Sequence, residues 1–196
     1  MGIELVVVGS SLGGLAALQS LLAGLPDDFD VPIVIAQHRL PDTDSRLVDL
    51  LAGRTRRTVK EPDDKELIER GMVYVAPAGY HLLIETNGSL ALSVDERVSH
   101  ARPSIDVLFE SAAEAVGRRL VAVLLTASSE DGAAGMVSVV NHGGVTVVED
   151  PASAQSPVAG LAALARTAVD HVCPVAEMGP LLGDLVTGRV PRKEKR

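Results

Sequence analysis

Tryptophan is missing from the 196 residues, and Phe29, Tyr74, Tyr80 and Phe109 are the only aromatic side chains. A core without bulk of that kind must be filled by Leu, Val and Ala, and a hydrophobic content of 46% can supply them. Cys173 is the only cysteine, which excludes an intrachain disulfide and a cysteine-based zinc site. It lies in the apolar run Val172-Cys173-Pro174-Val175, a setting for a buried and inert thiol. No apolar run approaches the roughly 18 residues of a membrane-spanning helix. No charged segment followed by a cleavable apolar one opens the chain. Positive charge is also in deficit. A net charge of −8 argues against a general nucleic-acid binder. Basic groups gather at the end, where Arg189 to Arg196 carry five against one acidic residue, the pattern of a solvated tail. These absences lead to the expectation of a cytoplasmic protein without membrane insertion.

What is present is alternation. Near-continuous Val/Ile/Leu runs at 3–8, 32–37, 120–126, 145–148 and 171–174 predict parallel strands buried on both faces. Helical periodicity lies between them: Leu15, Leu18, Leu21, Leu22 and Leu25 share one face, as do Ile105, Leu108, Phe109, Ala112 and Val116. Residues 132–141 and 176–186 repeat the pattern. The middle differs. Met72–Ala76, Tyr80–Glu85 and Leu90–Val94 are separated by Pro77-Ala78-Gly79 and Asn87-Gly88 turns, which predicts an antiparallel meander. The fold class is therefore α/β: a doubly wound, mostly parallel sheet with an inserted antiparallel hairpin or meander. One domain over 1–188 and a basic tail over 189–196 are expected.

In open α/β sheets, ligands bind outside the carboxyl ends of the strands. Three chemically capable residues fall on that edge. Ser11 follows the first strand in Gly9-Ser10-Ser11-Leu12-Gly13-Gly14, a literal Gly-x-Ser-x-Gly. His38 follows the second strand directly, and Asp131 follows the strand that begins at Leu120. Together they supply a nucleophile, a base and a carboxylate to orient the base. His142 and His171 precede strands and fall at the opposite edge; His81 opens a hairpin strand, and His100 sits in a loop. Blander roles are open to all three: Ser11 as a helix N-cap, Asp131 as a cap on residues 132–141, His38 as an ordinary strand-end histidine. Other chemistries fit worse. Ser11 stands where a dinucleotide fingerprint needs its second glycine, and no Gly-Lys-Ser/Thr of a phosphate loop follows. The order Ser, His, Asp is not the Ser, acid, His order of α/β-hydrolases.

From about residue 5 to 186 the chain resembles the catalytic domain of the chemoreceptor protein-glutamate methylesterase family, CheB. The resemblance is carried by Val8-Gly9-Ser10-Ser11-Leu12-Gly13-Gly14, by Gln37-His38, by Gly71-Met72-Val73-Tyr74-Val75-Ala76-Pro77 with His81, by Arg102-Pro103-Ser104-Ile105-Asp106-Val107-Leu108-Phe109, and by Leu125-Thr126 with Asp131-Gly132 and Gly135. It implies a hydrolase that cleaves γ-glutamyl methyl esters on the cytoplasmic helices of methylated chemoreceptors, in many members also deamidating receptor glutamines, with no metal or cofactor. It assigns Ser11 as nucleophile, His38 as base and then acid, and Asp131 as orienter, with the backbone amides of Leu12 and Ser128 facing the oxyanion.

The sequence also departs from the family. Ala127-Ser128-Ser129 stands for the usual Gly-Met-Gly, Leu12 for a threonine, and His38-Arg39 for His-Met. Gln155-Ser156-Pro157-Val158-Ala159-Gly160 stands for Gly-Met-Pro-Arg/Lys-x-Ala. Two other readings follow from these changes: a related serine esterase acting on another substrate, and a catalytically silent signalling domain that binds partners. The family's N-terminal receiver domain is not expected, since the first strand starts within a few residues of Met1; a stand-alone enzyme, or control by a separate regulatory protein, is expected instead.

Overall fold

The computed structural model describes residues 2–39 and 46–190. Along the chain run β1 (Leu5–Ser10), α1 (Gly14–Ala23), β2 (Ile33–Gln37), α2 (Arg46–Ala52), β3 (Thr58–Lys60), β4 (Met72–Val75), β5 (His81–Ile84) and β6 (Leu90–Ser93). After them come α3 (Ile105–Val116), β7 (Leu120–Leu124), α4 (Ala133–Asn141), β8 (Val145–Glu149), α5 (Val158–Arg166), β9 (His171–Cys173) and α6 (Val175–Thr187). Seven strands form one parallel sheet in the order β3-β4-β2-β1-β7-β8-β9, and β5 and β6 form a separate antiparallel pair. The expected fold class is the one observed. The order runs one way from β1 through β2 and the other way from β7, so the topological switch point lies between β1 and β7.

The alternating side chains of the central strands divide the core. Val6 and Val8 of β1 and Ile33 and Ile35 of β2 pack with Leu18, Leu21 and Leu22 of α1 and with Met178 and Leu182 of α6. Val7, Val34 and Ala36 face the other way, onto Leu108 and Phe109 of α3, Met136 of α4 and Leu82 of β5. A strand buried on both faces has no polar alternation, which is why these runs read as continuous apolar stretches. Among the described residues no helix is long and apolar enough to cross a membrane.

Two expectations need correction, and three elements were not expected. Met72–Val75 is not the first strand of a meander: it pairs in parallel with β2 and β3, and only the β5–β6 hairpin around Asn87-Gly88 is antiparallel. The sequence reading assigned neither α2, β3 nor α5. Cys173 is half-buried rather than fully enclosed, and burial pushes its thiol up to about 11. Of the expected tail, residues 191–196 lie outside the described ones.

Candidate active site

The carboxyl ends of β1, β2 and β7 set the site. Parallel pairing places Ser10 of β1 beside Gln37 of β2, so the residues that follow, Ser11 and His38, leave the sheet together. Their backbones are tied: His38 N–H donates to the Ser10 carbonyl at 3.0 Å, and Ser11 N–H donates to the Thr126 carbonyl beyond β7 at 2.9 Å. Gln37 completes the tie. Its Oε1 accepts from Ser10 Oγ at 2.6 Å, and its Nε2 donates to the carbonyls of Ser11 and His38, each at 2.9 Å. Two glycines make room for this. Gly13 starts α1 in the left-handed region at φ 80, where a side chain is disfavoured. A Cβ on Gly14 would stand 2.0 Å from Gln37 Oε1.

Ser11 is not the N-cap of α1; Gly13 holds that position, and no side chain caps the helix. Asp131 is a cap, but not of α4. Its carboxylate turns to the start of α3, accepting from Ile105 N–H at 2.8 Å, Asp106 N–H at 3.0 Å and Ser104 Oγ at 2.9 Å. Asp106 returns the exchange: its Oδ1 accepts from Gly132 N–H at 2.8 Å and Gly135 N–H at 2.7 Å at the start of α4. Each helix start thus has amides satisfied by an acid from the other: Asp106 in the first turn of α3, and Asp131 in the loop just before α4.

The fourth partner of Asp131 is His38, whose Nε2 lies 2.6 Å from Oδ2. The aspartate is fully buried and the histidine side chain is 16% exposed. Burial alone would raise the Asp131 carboxyl, but the hydrogen bonds from His38, Asp106 N–H, Ile105 N–H and Ser104 outweigh it and hold the group below its ordinary value. Asp106 lacks a histidine partner and moves the other way, pushed up to about 6 mainly by burial. An ionised Asp131 only accepts, so the proton on His38 sits at Nε2, leaving the Nδ1 lone pair free to take a proton.

Ser11, Leu12, Leu15, Gln37, His38 and Ser128 line one open cleft of about 630 Å³. No hydrogen bond links Ser11 Oγ to His38 among the described residues; the two share a cleft without being joined. The amides of Leu12 and Ser128 donate to no protein group among the described residues. Thr126 ties the surrounding loops: its Oγ1 donates to the Leu12 carbonyl at 2.9 Å and accepts from Ser156 N–H at 2.8 Å, and its own N–H donates to buried Glu149 Oε2 at 2.7 Å. Burial raises the Glu149 carboxyl above its usual range. The departing segment at 155–160 therefore touches the serine loop, with Gln155 packed over Gly13.

The other histidines lie as expected or serve the frame. His142 caps the far end of α4, and His171 opens β9 at the opposite edge. Buried His81 was not singled out from the sequence for any role. Its Nδ1 accepts from Ser104 N–H at 3.2 Å and its Nε2 donates to the Glu96 carbonyl at 3.0 Å, so it supports the residue that supports Asp131. Ser104, Asp106 and Gln37 were likewise missed as site residues, although they stand in the motif stretches. Among the described residues no group of three or more His, Cys, Asp or Glu could hold a metal ion.

A family profile described as CheB methylesterase matches residues 6–182. A putative protein-glutamate methylesterase/protein-glutamine glutaminase of Leptospira interrogans is 41% identical over 92% of this chain and 94% of its own length. An Anaeromyxobacter dehalogenans protein-glutamate methylesterase/protein-glutamine glutaminase is 40% identical over 93% of this chain, which spans 53% of that longer relative. The crystal structure of the Thermotoga maritima CheB methylesterase catalytic domain superimposes with a TM-score of 0.89 at 31% identity, covering 95% of this chain and all of that one.

Proposed function

The chain belongs to the CheB methylesterase family, and from that premise we propose that it is a cytoplasmic protein-glutamate methylesterase working through Ser11, His38 and Asp131. The substrates are glutamyl methyl esters on the cytoplasmic helices of chemoreceptors; the products are glutamate and methanol. The observation that carries the reading is the buried His38–Asp131 pair opening onto the cleft that Ser11 lines.

Ser11 Oγ attacks the ester carbonyl while His38 Nδ1 takes its proton, and Asp131 stabilises the imidazolium that results. Negative charge develops on the carbonyl oxygen, where the unengaged amides of Leu12 and Ser128 stand as donors; each such donor contributes on the order of 3 kcal/mol in comparable sites. His38 passes its proton to the leaving methoxide, which departs as methanol. A water, deprotonated by His38, then cleaves the acyl-serine. The same steps with an amide substrate release ammonia, so glutamine deamidation uses the same residues. The cleft is open, as a site must be whose substrate is a side chain on another protein's surface.

The test is methanol release from methyl-labelled chemoreceptor by the protein and by Ser11→Ala. Release by the first alone supports the assignment; equal release by both removes Ser11 from the chemistry, and release by neither removes the substrate.

A further inference from the structure

His38 borders two concavities. On one side is the apolar cleft with Ser11, where Leu12 is 54% and Leu15 37% exposed. On the other is a cavity of about 260 Å³ walled by Arg39, Arg97, His100 and Arg102. So many cationic side chains around one small space are unexpected in a chain of net charge −8.

Among the described residues their partners answer that charge only in part. Arg39 pairs with Glu61 and donates to the Ala76 carbonyl at 2.8 Å. Arg102 donates to the carbonyls of Val94 and Asp95 and, among the described residues, meets no carboxylate. Arg97 has no ion pair among the described residues. Among the described residues the buried Nε–H groups of Arg39 and Arg102 have no acceptor, an arrangement folded proteins avoid. The segment carrying the cluster is held in an unfavourable shape. Val98 and Ala101 exchange backbone hydrogen bonds at 3.2 and 2.9 Å across a turn whose central residues, Ser99 and His100, have φ of 51 and 64. Such turns ordinarily take Gly or Asn, and strain of this kind concentrates at functional sites. Arg39, moreover, stands where the resembling family has methionine.

We propose that this cavity is a carboxylate subsite that receives an acidic side chain of the substrate protein, one helical turn from the ester. Planar guanidinium groups suit a carboxylate, and that of Arg97, exposed on the cavity wall and without an ion pair among the described residues, is open to receive one. Residues three or four apart on a helix lie about 5–6 Å from each other, so a helix presenting its ester to Ser11 carries a neighbouring side chain past His38. The apolar flank at Leu12 and Leu15 and the cationic flank beyond His38 together fit an amphipathic helix in one orientation. The subsite rests on the reading of the substrate as a glutamyl ester on a helix.

The test uses two fluorescein-labelled helical peptides with a central γ-methyl glutamate. One has glutamate four residues to either side, the other glutamine. Binding to Ser11→Ala protein is followed by anisotropy at low ionic strength. The expected result is about tenfold tighter binding of the glutamate peptide, the size of one charged hydrogen-bonded contact. That ratio falls to unity in Arg97→Glu and returns in Arg97→Lys; Arg97 is exposed, and melting temperatures check that each variant folds. Equal affinity for the two peptides, or a preference that survives Arg97→Glu, overturns the proposal. Methanol release by the parent protein is measured on the same peptides. Its absence beside an intact preference defeats the esterase reading while the acidic-peptide subsite stands.

Discussion

Asp131 accepts four hydrogen bonds, and only one of them comes from His38. That ratio separates two substitutions at the site. Ser11→Ala removes a hydroxyl that makes no hydrogen bond among the described residues, so turnover should fall by at least about 10⁴-fold while the melting temperature stays where it was. Asp131→Asn keeps the shape but replaces one acceptor oxygen by a donor, which faces either His38 and the Ile105 amide in place of Oδ2 or Ser104 and the Asp106 amide in place of Oδ1. Turnover should again fall by about 10⁴-fold through the wrong histidine tautomer. Here stability should fall too, by about 2 kcal/mol, because a buried donor is left facing donors. Steady-state kinetics beside urea unfolding separate the two outcomes. An Asp131→Asn protein as stable as its parent would mean that the carboxylate is not the α3 cap described above.

At the scale of elements, the site is an agreement between strand ends and helix starts. Gln37 fixes the β1 and β2 exits relative to each other through three hydrogen bonds. Gln37→Glu keeps the size but cannot donate to the Ser11 and His38 carbonyls, and it places a carboxylate against both. The expected loss is ten- to a hundredfold in kcat with KM little changed, as displacement of a catalytic group by a fraction of an ångström produces; a loss confined to KM would instead place Gln37 in substrate binding. Such ties explain what the sequence could and could not disclose. The strands bearing Ser11, His38 and Asp131 are long apolar runs with a fixed direction, so their carboxyl edge was legible. β3 is three residues long with only Val59 buried, and α2 buries only Leu51, too little pattern for either to stand out. α5 begins after Pro157 and contains Gly160, which blur its start and its periodicity. Met72–Val75 precedes a turn and a true hairpin, and nothing local distinguishes a strand that pairs with its successor from one that joins the distant β2. The reciprocal capping of α3 and α4 was invisible for the same reason: Asp106 and Asp131 each look like acids near their own helix, and only the packing of α3 on α4 exchanges them.

For the molecule as a whole, that exchange places two buried carboxylates of opposite tendency at the switch point of the sheet. Asp106 holds its proton more tightly in the folded chain than in the unfolded one, by the difference between 3.8 and about 6. Its contribution to stability is therefore full below about pH 4 and is lost as pH rises through about 6. Asp131 behaves in the reverse sense: held below its ordinary value, it stabilises above about pH 4 and less as pH falls. Asp106→Asn isolates the first effect, since an amide oxygen can still accept from Gly132 and Gly135 without carrying a buried charge. The stability of this variant relative to its parent should rise between about pH 4 and pH 6 and level off above, by up to on the order of 3 kcal/mol. Urea unfolding of both proteins across that range measures it. A difference that does not change with pH would mean that Asp106 is ionised throughout, and that the α3–α4 junction tolerates two charges. If the difference does rise, the parent retains at neutral pH a buried carboxylate, Asp106, that weakens the fold beside a second, Asp131, that accepts from His38.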